Sequence, residues 1–171
     1  MAKLRKGCAY RRIERPYTRH SKFKNKSFVR AKPNILIVKF DLGDPSKEFT
    51  NRVDLVSRDN LQIRHNALEA ARQTANRVLE KGLGKGNFHL KIRVYPHHIL
   101  RENPLASGAG ADRMSTGMKK SFGKVIGVAA RVKDGQTILT LRVNKNQLKT
   151  GKLALKRASH KFACKTSIID I

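Results

Sequence analysis

Apolar positions with helical spacing are concentrated in residues 61–82. The polar side chains of this segment lie off a single apolar stripe, which predicts an amphipathic helix packed on a core. The stripe contains Leu68, Ala71, Ala75, Val78 and Leu79. Asp59 or Asn60 is a candidate N-cap for this helix, and Gly82 and Gly84 offer positive-φ positions for its end.

Residues 88–95 alternate between apolar and polar side chains without a break, which predicts a half-buried strand ended by Pro96. The apolar face is formed by Phe88, Leu90, Ile92 and Val94. The opposite face carries His89, Lys91, Arg93 and Tyr95.

Shorter patterns predict the remaining elements. Ile35–Phe40 is typical of a buried strand, and a weaker strand is expected near Arg52–Ser57. Val125–Val132 and Thr137–Val143 flank Lys133-Asp134-Gly135-Gln136, and Asp-Gly between two apolar segments predicts a β-hairpin.

The C-terminal region has the pattern of a helix followed by a strand. The helix is expected after Thr150, and the strand at Ser167–Ile169. The apolar arc of the helix consists of Ala154, Leu155, Ala158 and Phe162.

This order of elements predicts an α+β fold, with two helices packed on a sheet of mixed strands. We expect residues 1–32 to form a basic N-terminal arm. Residues 33–171 are expected to form one compact domain, with a long loop inserted at residues 102–124.

Charge narrows the class of partner. Lys and Arg number 38 against 12 Asp and Glu, giving a formal net charge of +26. So many like charges oppose compaction unless a polyanion binds them, and bound phosphates release counterions. The sequence lacks a signal peptide, a lipidation signal and an apolar run of the ~18 residues that span a membrane. Cys8 and Cys164 lie far apart in the sequence, so we expect a cytoplasmic protein with reduced thiols and no membrane partner.

The arm interleaves cations with aromatic rings. Residues 1–32 hold twelve Lys or Arg against one acid, Glu14, together with Tyr10, Tyr17, Phe23 and Phe28. One interpretation is a disordered basic tail. The other, which the rings favour, is an arm that orders on RNA while a ring stacks on an unpaired base or packs in a crevice. The candidate phosphate-binding residues are Arg5, Lys6, Arg11, Arg12, Arg15, Arg19, Lys22, Lys24 and Lys26.

Two further basic sites lie in the domain. Lys91 and Arg93, on the outward face of the alternating strand, are either solvated or in contact with RNA, and the net charge favours RNA. The glycine-rich residues 102–124 form either a mobile surface loop or a functional loop whose backbone approaches RNA closely. The cations at the C-terminal side of this loop are Arg113, Lys119, Lys120 and Lys124.

Motifs for catalysis are absent from the sequence. No frame fits a phosphate-binding P-loop, and Arg113 stands where a dinucleotide fingerprint beginning at Gly108 and Gly110 requires a third glycine. His97-His98 with Glu102 matches no metal signature, and no nucleophile has a base and an orienting group. We expect no enzyme, no cofactor and no metal.

Several segments resemble one known family. They are Ala67–Arg72 with Phe88–His98, the loop segment Ala109-Gly-Ala-Asp-Arg-Met-Ser-Thr-Gly-Met118 with Phe122-Gly-Lys124, Tyr17, Phe40-Asp-Leu-Gly43, Ala130-Arg-Val132 and Ala154–Phe162. Together they resemble the archaeal and eukaryotic L-ten-e ribosomal proteins, the counterparts of bacterial L-sixteen.

The resemblance implies a β-hammerhead fold and a place in the large ribosomal subunit, bound to rRNA near the tRNA-binding cleft. It implies neighbouring ribosomal proteins as partners, with no homo-oligomer, and it adds Arg101 to the rRNA-binding flanks of the loop. It also implies that the loop faces the acceptor end of tRNA, through Asn103, Leu105, Ala106, Ser107, Gly108, Ala109, Gly110, Ala111 and Asp112.

Two other classes remain open. Composition also permits a free RNA chaperone or a nucleoid-type DNA binder, although neither needs such regular amphipathic elements or so long a loop. An RNA-modifying enzyme is disfavoured by the missing catalytic set.

Overall fold

The computed structural model describes residues 5–15, 17–19, 21–27, 29, 32–102 and 123–171. In these ranges the strands are β1 (Asp41–Gly43), β2 (Asn51–Ser57), β3 (Leu61–Arg64), β4 (His89–Ile92), β5 (His98–Glu102), β6 (Lys124–Val132), β7 (Thr137–Val143) and β8 (Thr166–Asp170). The helices are α1 (His65–Leu83) and α2 (Leu148–Ser159), and short 3₁₀ turns occur at Lys24–Lys26 and Lys145–Gln147. The α+β class with two helices is therefore confirmed, and the described strands form two antiparallel sheets.

The larger sheet has five antiparallel strands in the order β1-β4-β7-β2-β8. Its centre is apolar, because Leu90, Leu141 and Val53 lie directly opposite one another on β4, β7 and β2, and all are fully buried. The alternation predicted for residues 88–95 is confirmed except at His89, which is buried. Strand β4 itself ends at Ile92, earlier than Pro96.

The smaller sheet has three antiparallel strands in the order β3-β6-β5, so the hairpin predicted between β6 and β7 is wrong. The turn exists, with Gly135 at φ +75° and the Gln136 amide donating to the Lys133 carbonyl over 3.2 Å. The strands on its two sides nevertheless enter different sheets. The Gly135 amide donates to the Ser57 carbonyl over 3.0 Å, so the turn bonds to the end of β2.

Helix α1 begins at His65, four residues after the predicted start. Leu61–Arg64 forms β3 instead, because Leu61 and Ile63 alternate with polar residues and are buried opposite Val132 and Ala130 of β6. The apolar stripe of the helix is confirmed, with four of its five side chains fully buried.

The predicted N-caps of α1 bind elsewhere. Asp59 accepts a hydrogen bond from the Lys165 amide (2.8 Å) and Asn60 from the Asp134 amide (2.9 Å). At the C-terminal end, Gly84 is confirmed as the cap at φ +80°.

Helix α2 begins at Leu148, slightly before the predicted Thr150, and ends at Ser159. Phe162 is buried just beyond its end. The helix lies tightly on β7, since a Cβ added to Gly151 would stand 2.9 Å from a methyl carbon of Leu141.

The strand predicted at Ile35–Phe40 is wrong. Ile37 alone is buried in this segment, whereas Leu36 and Val38 are exposed, and the strand forms just after it as β1. An apolar sequence on both faces indicated burial on both faces, but only Ile35, Ile37 and Phe40 pack against the core, while Leu36 and Val38 face solvent.

Two apolar clusters of very different size result. The larger joins both helices, the five-stranded sheet and the inner face of β3 and β6. The smaller, on the three-stranded sheet, contains Val29, Ile99 and Val128, with Tyr17, Ile35 and Val125 at its margin.

Candidate nucleic-acid interface

A row of cations lies on the outer face of the five-stranded sheet. Arg93 is exposed and Lys91 half-exposed, as the alternation predicts. Arg142 of β7 is exposed directly opposite His89, and Arg52 of β2 lies opposite Arg142, so both share the face of Lys91. Cations from three neighbouring strands are thereby brought together.

Sequence reasoning missed Arg142 and Arg52. A partial signal was available for Arg142, because Leu139, Leu141 and Val143 alternate with Thr140 and Arg142, although the buried Ile138 interrupts the pattern. For Arg52 no comparable alternation exists, since β2 is buried along most of its length.

Two acids on this face neutralise part of its positive charge, and each pairs with particular cations. Asp41 contacts the Lys91 ammonium at 3.3 Å and the His89 ring at 3.1 Å. Burial alone raises the pKa of Asp41, but the hydrogen bonds from His89 and Lys91 outweigh burial and lower it overall.

The second acid, the buried Asp54, accepts two hydrogen bonds from the Arg52 guanidinium, at 3.1 and 2.6 Å. Arg93 and Arg142 form no ion pair with any residue that the structure describes. These two arginines are therefore the cations of this face that are best suited to hold phosphate.

The described arm residues are fixed through their backbone. The Arg64 guanidinium donates to the carbonyls of Arg5 (3.1 Å) and Lys6 (2.9 Å). The Arg11 carbonyl accepts from the Gln62 amide of β3, and the Tyr17 carbonyl accepts from the Ile99 amide of β5. The arm thus runs from one edge of the three-stranded sheet to the other.

Because backbone groups make these bonds, most basic side chains of the arm point to solvent. All nine arm cations proposed from the sequence are exposed. Arg5 pairs with Glu102, and the Arg11 guanidinium donates to the Ala163 carbonyl over 3.2 Å. Arg64, which anchors the arm, is a further functional residue that sequence reasoning missed.

The aromatic rings of the arm occupy two kinds of environment. Tyr17 is half-buried, with the Arg101 guanidinium 3.8 Å from the centre of its ring. Phe23 is 54% exposed, and the ammonium groups of Lys22 and Lys26 each lie 5.3 Å from the centre of its ring. Phe23 therefore presents an accessible ring inside a cationic segment, whereas Tyr17 is committed to Arg101 and the small apolar cluster.

Of the glycine-rich loop at residues 102–124, the structure describes the two ends. Arg101 and Glu102 at the end of β5 pair with Val125 and Lys124 at the start of β6, so the loop leaves and rejoins two neighbouring strands. The predicted tRNA-facing residues, together with Arg113, Lys119, Lys120 and the side chain of Lys124, lie outside the described residues.

The histidines considered as metal ligands are otherwise engaged. His98 is buried and donates through Nδ1 to the Gln62 side-chain oxygen over 2.6 Å. Burial, followed by the charge of Arg131, lowers its pKa. His97 lies against the Tyr95 ring at 4.5 Å. Among the described residues, no group of three His, Cys, Asp or Glu side chains is arranged to hold a metal ion.

Both cysteines line one groove, with Cys8 exposed on the arm and Cys164 half-buried after α2, and both are free thiols. Burial raises the pKa of Cys164. In the part of the chain that the structure covers, neither helix is long and apolar enough to cross a membrane.

Comparison with known proteins identifies the family. The family model for ribosomal protein L16p/L10e matches residues 13–169. The chain is 48% identical to large ribosomal subunit protein uL16 of Methanococcus maripaludis over 165 residues, covering 95% of this chain and 92% of the relative. It is 45% identical to the uL16 of Methanocella arvoryzae (91% and 88% covered) and 44% identical to that of Archaeoglobus fulgidus (94% and 88%). The chain therefore belongs to the ribosomal protein L16p/L10e family.

Proposed function

We propose that the chain binds large-subunit rRNA through the outer face of its five-stranded sheet and through its N-terminal arm, and that it thereby stabilises one rRNA fold. As a member of its family, the chain is a ribosomal protein of the large subunit that acts in translation in the cytoplasm. The proposed role is structural rather than catalytic.

The observation that carries this proposal is the arrangement of cations on a fixed scaffold. Arg142 extends from β7, and Arg93 directly follows β4, where its amide donates to the Ile138 carbonyl of β7 over 2.9 Å; the arm is held along a second sheet by its carbonyls. Phosphate contacts from such a scaffold set the position and orientation of a nucleic acid. The two surfaces together would bridge phosphates that lie far apart in the rRNA sequence.

Phe23 adds a contact of another kind. An exposed ring flanked by lysines suits an unpaired base, which stacks on the ring while the ammonium groups hold adjacent phosphates. Unpaired bases are more accessible in folded RNA than in duplex DNA, so this contact favours RNA over a nucleoid-type DNA partner.

We further propose that the loop at residues 102–124 faces the acceptor end of tRNA near the tRNA-binding cleft. The paired ends of β5 and β6 support this role, because they give the loop a fixed base from which to project. The resemblance of Ala109–Met118 to the same segment of the family is the other support.

A charge-reversal experiment tests rRNA binding. Arg93→Glu combined with Arg142→Glu should weaken binding to transcribed large-subunit rRNA, and should flatten the dependence of log K on log salt by about 0.7–0.9 per lost phosphate contact. The matched control is Arg77→Glu, an exposed position on α1. If the double variant and the control have the same salt slope per unit of charge changed, the sheet face does not bind rRNA.

The same binding assay separates the loop from the rRNA-binding face. A chain lacking residues 104–111 should keep its affinity for rRNA, while large subunits assembled with it bind tRNA more weakly. If rRNA affinity falls and tRNA binding by the subunits is unchanged, the proposed division of roles is wrong.

A further inference from the structure

An open groove of about 540 Å³ lies between α2 and β8, away from the residues assigned above to rRNA. It is lined by Lys149, Thr150, Lys152, Leu153, Lys156 and Ile168. Its floor is formed by two aliphatic side chains, Leu153, which is 45% exposed, and Ile168, which is half-buried. Covering this exposed aliphatic carbon with a partner's apolar side chain removes it from water, which is favourable.

The rim of this groove is cationic. Lys149, Lys152 and Lys156 recur at intervals of three and four residues, which places them along one face of α2. Lys152 is paired with Asp170 of β8 at 2.5 Å. Lys149 and Lys156 form no ion pair within the described residues, so the groove keeps an uncompensated positive charge.

Strand β8 offers backbone groups beside the groove. Among the described strands it pairs with β2 alone and lies last in the five-stranded sheet. Its sequence Thr-Ser-Ile-Ile-Asp contains neither the lysines nor the prolines that natural edge strands use to prevent pairing. An extended segment is therefore able to add to this edge.

We propose that this surface docks an extended segment of a neighbouring protein that combines acidic and aliphatic side chains. The segment would add to the outer edge of β8. Its alternate residues would then point toward the groove, where an aliphatic side chain covers Leu153 and Ile168 and carboxylates meet Lys149 and Lys156. Ile169 is also exposed but lies on the other face of β8, so it would contact the residues of the segment that point away from the groove.

The chemistry of the groove favours protein over RNA. Specific RNA sites combine cations with rings or guanidinium planes on which bases stack, as at Phe23. The groove has lysines but no arginine and no aromatic ring. An aliphatic floor remains uncovered beneath a phosphate backbone, whereas leucine, isoleucine or valine of a protein segment fills it.

Site-specific cross-linking in cells tests this inference. A photoreactive p-benzoylphenylalanine would replace the exposed Leu153, and in a parallel strain the exposed Val38, which lies outside the groove. After irradiation of whole cells, mass spectrometry identifies the cross-linked partner, and sedimentation separately reports whether the chain enters large subunits. A cross-link from position 153, absent from position 38, to a protein segment rich in Asp or Glu and aliphatic residues is the expected result.

Charge variants supply the control for specificity. Lys149→Glu with Lys156→Glu should reduce the cross-link yield about fivefold, and the matched Lys149→Arg with Lys156→Arg should preserve it. Cross-linking of position 153 to rRNA, to this chain itself or to nothing would overturn the inference. The proposed function stands or fails separately, because it is tested by sedimentation with large subunits and by the rRNA affinity of the Arg93 and Arg142 variants.

Discussion

The five-stranded and three-stranded sheets differ in what holds them in place. The larger sheet is buried under two helices, and fully buried aliphatic side chains such as Leu141 and Leu90 fill the space between them. The smaller sheet has only the cluster around Val29, Ile99 and Val128 outside the main core. On it, the arm is held by backbone carbonyls and by the guanidinium groups of Arg64 and Arg101.

This difference means that the sheet that contributes most to stability is not the sheet that holds the basic arm. Apolar burial fixes the larger sheet before any RNA arrives, so the cations on its outer face are carried by a rigid surface. On the smaller sheet, hydrogen bonds and a few apolar contacts hold the most basic segment of the chain. That region opens at lower free-energy cost and is the more responsive to an RNA partner.

The largest effect is expected from Leu141→Ala, which removes a fully buried side chain between β7 and α2. Because the cavity is enclosed, the free energy of unfolding should fall by about 2–5 kcal/mol. Denaturant unfolding of the purified protein in high salt measures it. A loss below about 0.5 kcal/mol, within the range of surface substitutions, would show that the large core does not dominate stability.

A smaller and local effect is expected from Val29→Ala in the minor cluster. Removing two buried carbons should cost about 1.5–2 kcal/mol. Hydrogen exchange of the Ile99 amide, which donates to the Tyr17 carbonyl, should accelerate by roughly 10- to 30-fold.

Which amides exchange faster in Val29→Ala decides whether the two sheets differ in stability as described above. Amides in β7 and α1 should exchange at unchanged rates in Val29→Ala, because the arm opens without the main core. If exchange accelerates equally in both sheets, the two sheets unfold as one unit and their separation is wrong.

The smallest effect concerns the buried His98 of β5. Its folded-state pKa lies below the ordinary 6.5, first because of burial. The unfolded chain therefore binds more protons as pH falls below about 6.5, so stability is full above that pH and declines below it. The slope of the free energy of unfolding against pH that His98 contributes corresponds to the uptake of at most about one proton on unfolding.

His98→Asn should flatten this decline. Thermal unfolding across the range from about pH 8 to pH 5 measures it. His65 shares the direction, since burial also lowers its pKa, so part of the slope should remain in the variant. A slope that is identical with and without His98 would exclude this histidine as a source of pH sensitivity.

Sequence periodicity predicted the elements that have one buried face. The stripe of α1, the alternation of residues 88–95 and the arc of α2 each repeat often enough to establish a period. Lys91 and Arg93 were correctly assigned to the outward face for the same reason, because an uninterrupted alternation identifies that face.

Short apolar segments were predicted less well, because periodicity is ambiguous over four to six residues. Leu61–Arg64 was assigned to the helix that follows it, and Ile35–Phe40 to a strand. The Asp134-Gly135 turn correctly predicted a reversal of the chain but not the sheet that each side joins, since pairing depends on distant residues such as Ser57. Arg64 could not be identified from the sequence, because its role depends on where the arm lies.

The path of the arm has a consequence for the order in which the protein forms during synthesis. The arm is made early, yet the Arg11 carbonyl bonds to β3 and its guanidinium bonds to the carbonyl of Ala163. The first contact requires that β3 has left the translating ribosome, and the second closes only after residue 163 has left it. Until β3 and β5 have been made, the arm lacks the Arg64, Gln62 and Ile99 groups that bind its carbonyls. The arm precedes the domain in the chain but completes its contacts only after α2 has been made, and during translation it is free to meet nucleic acid before it meets its own domain.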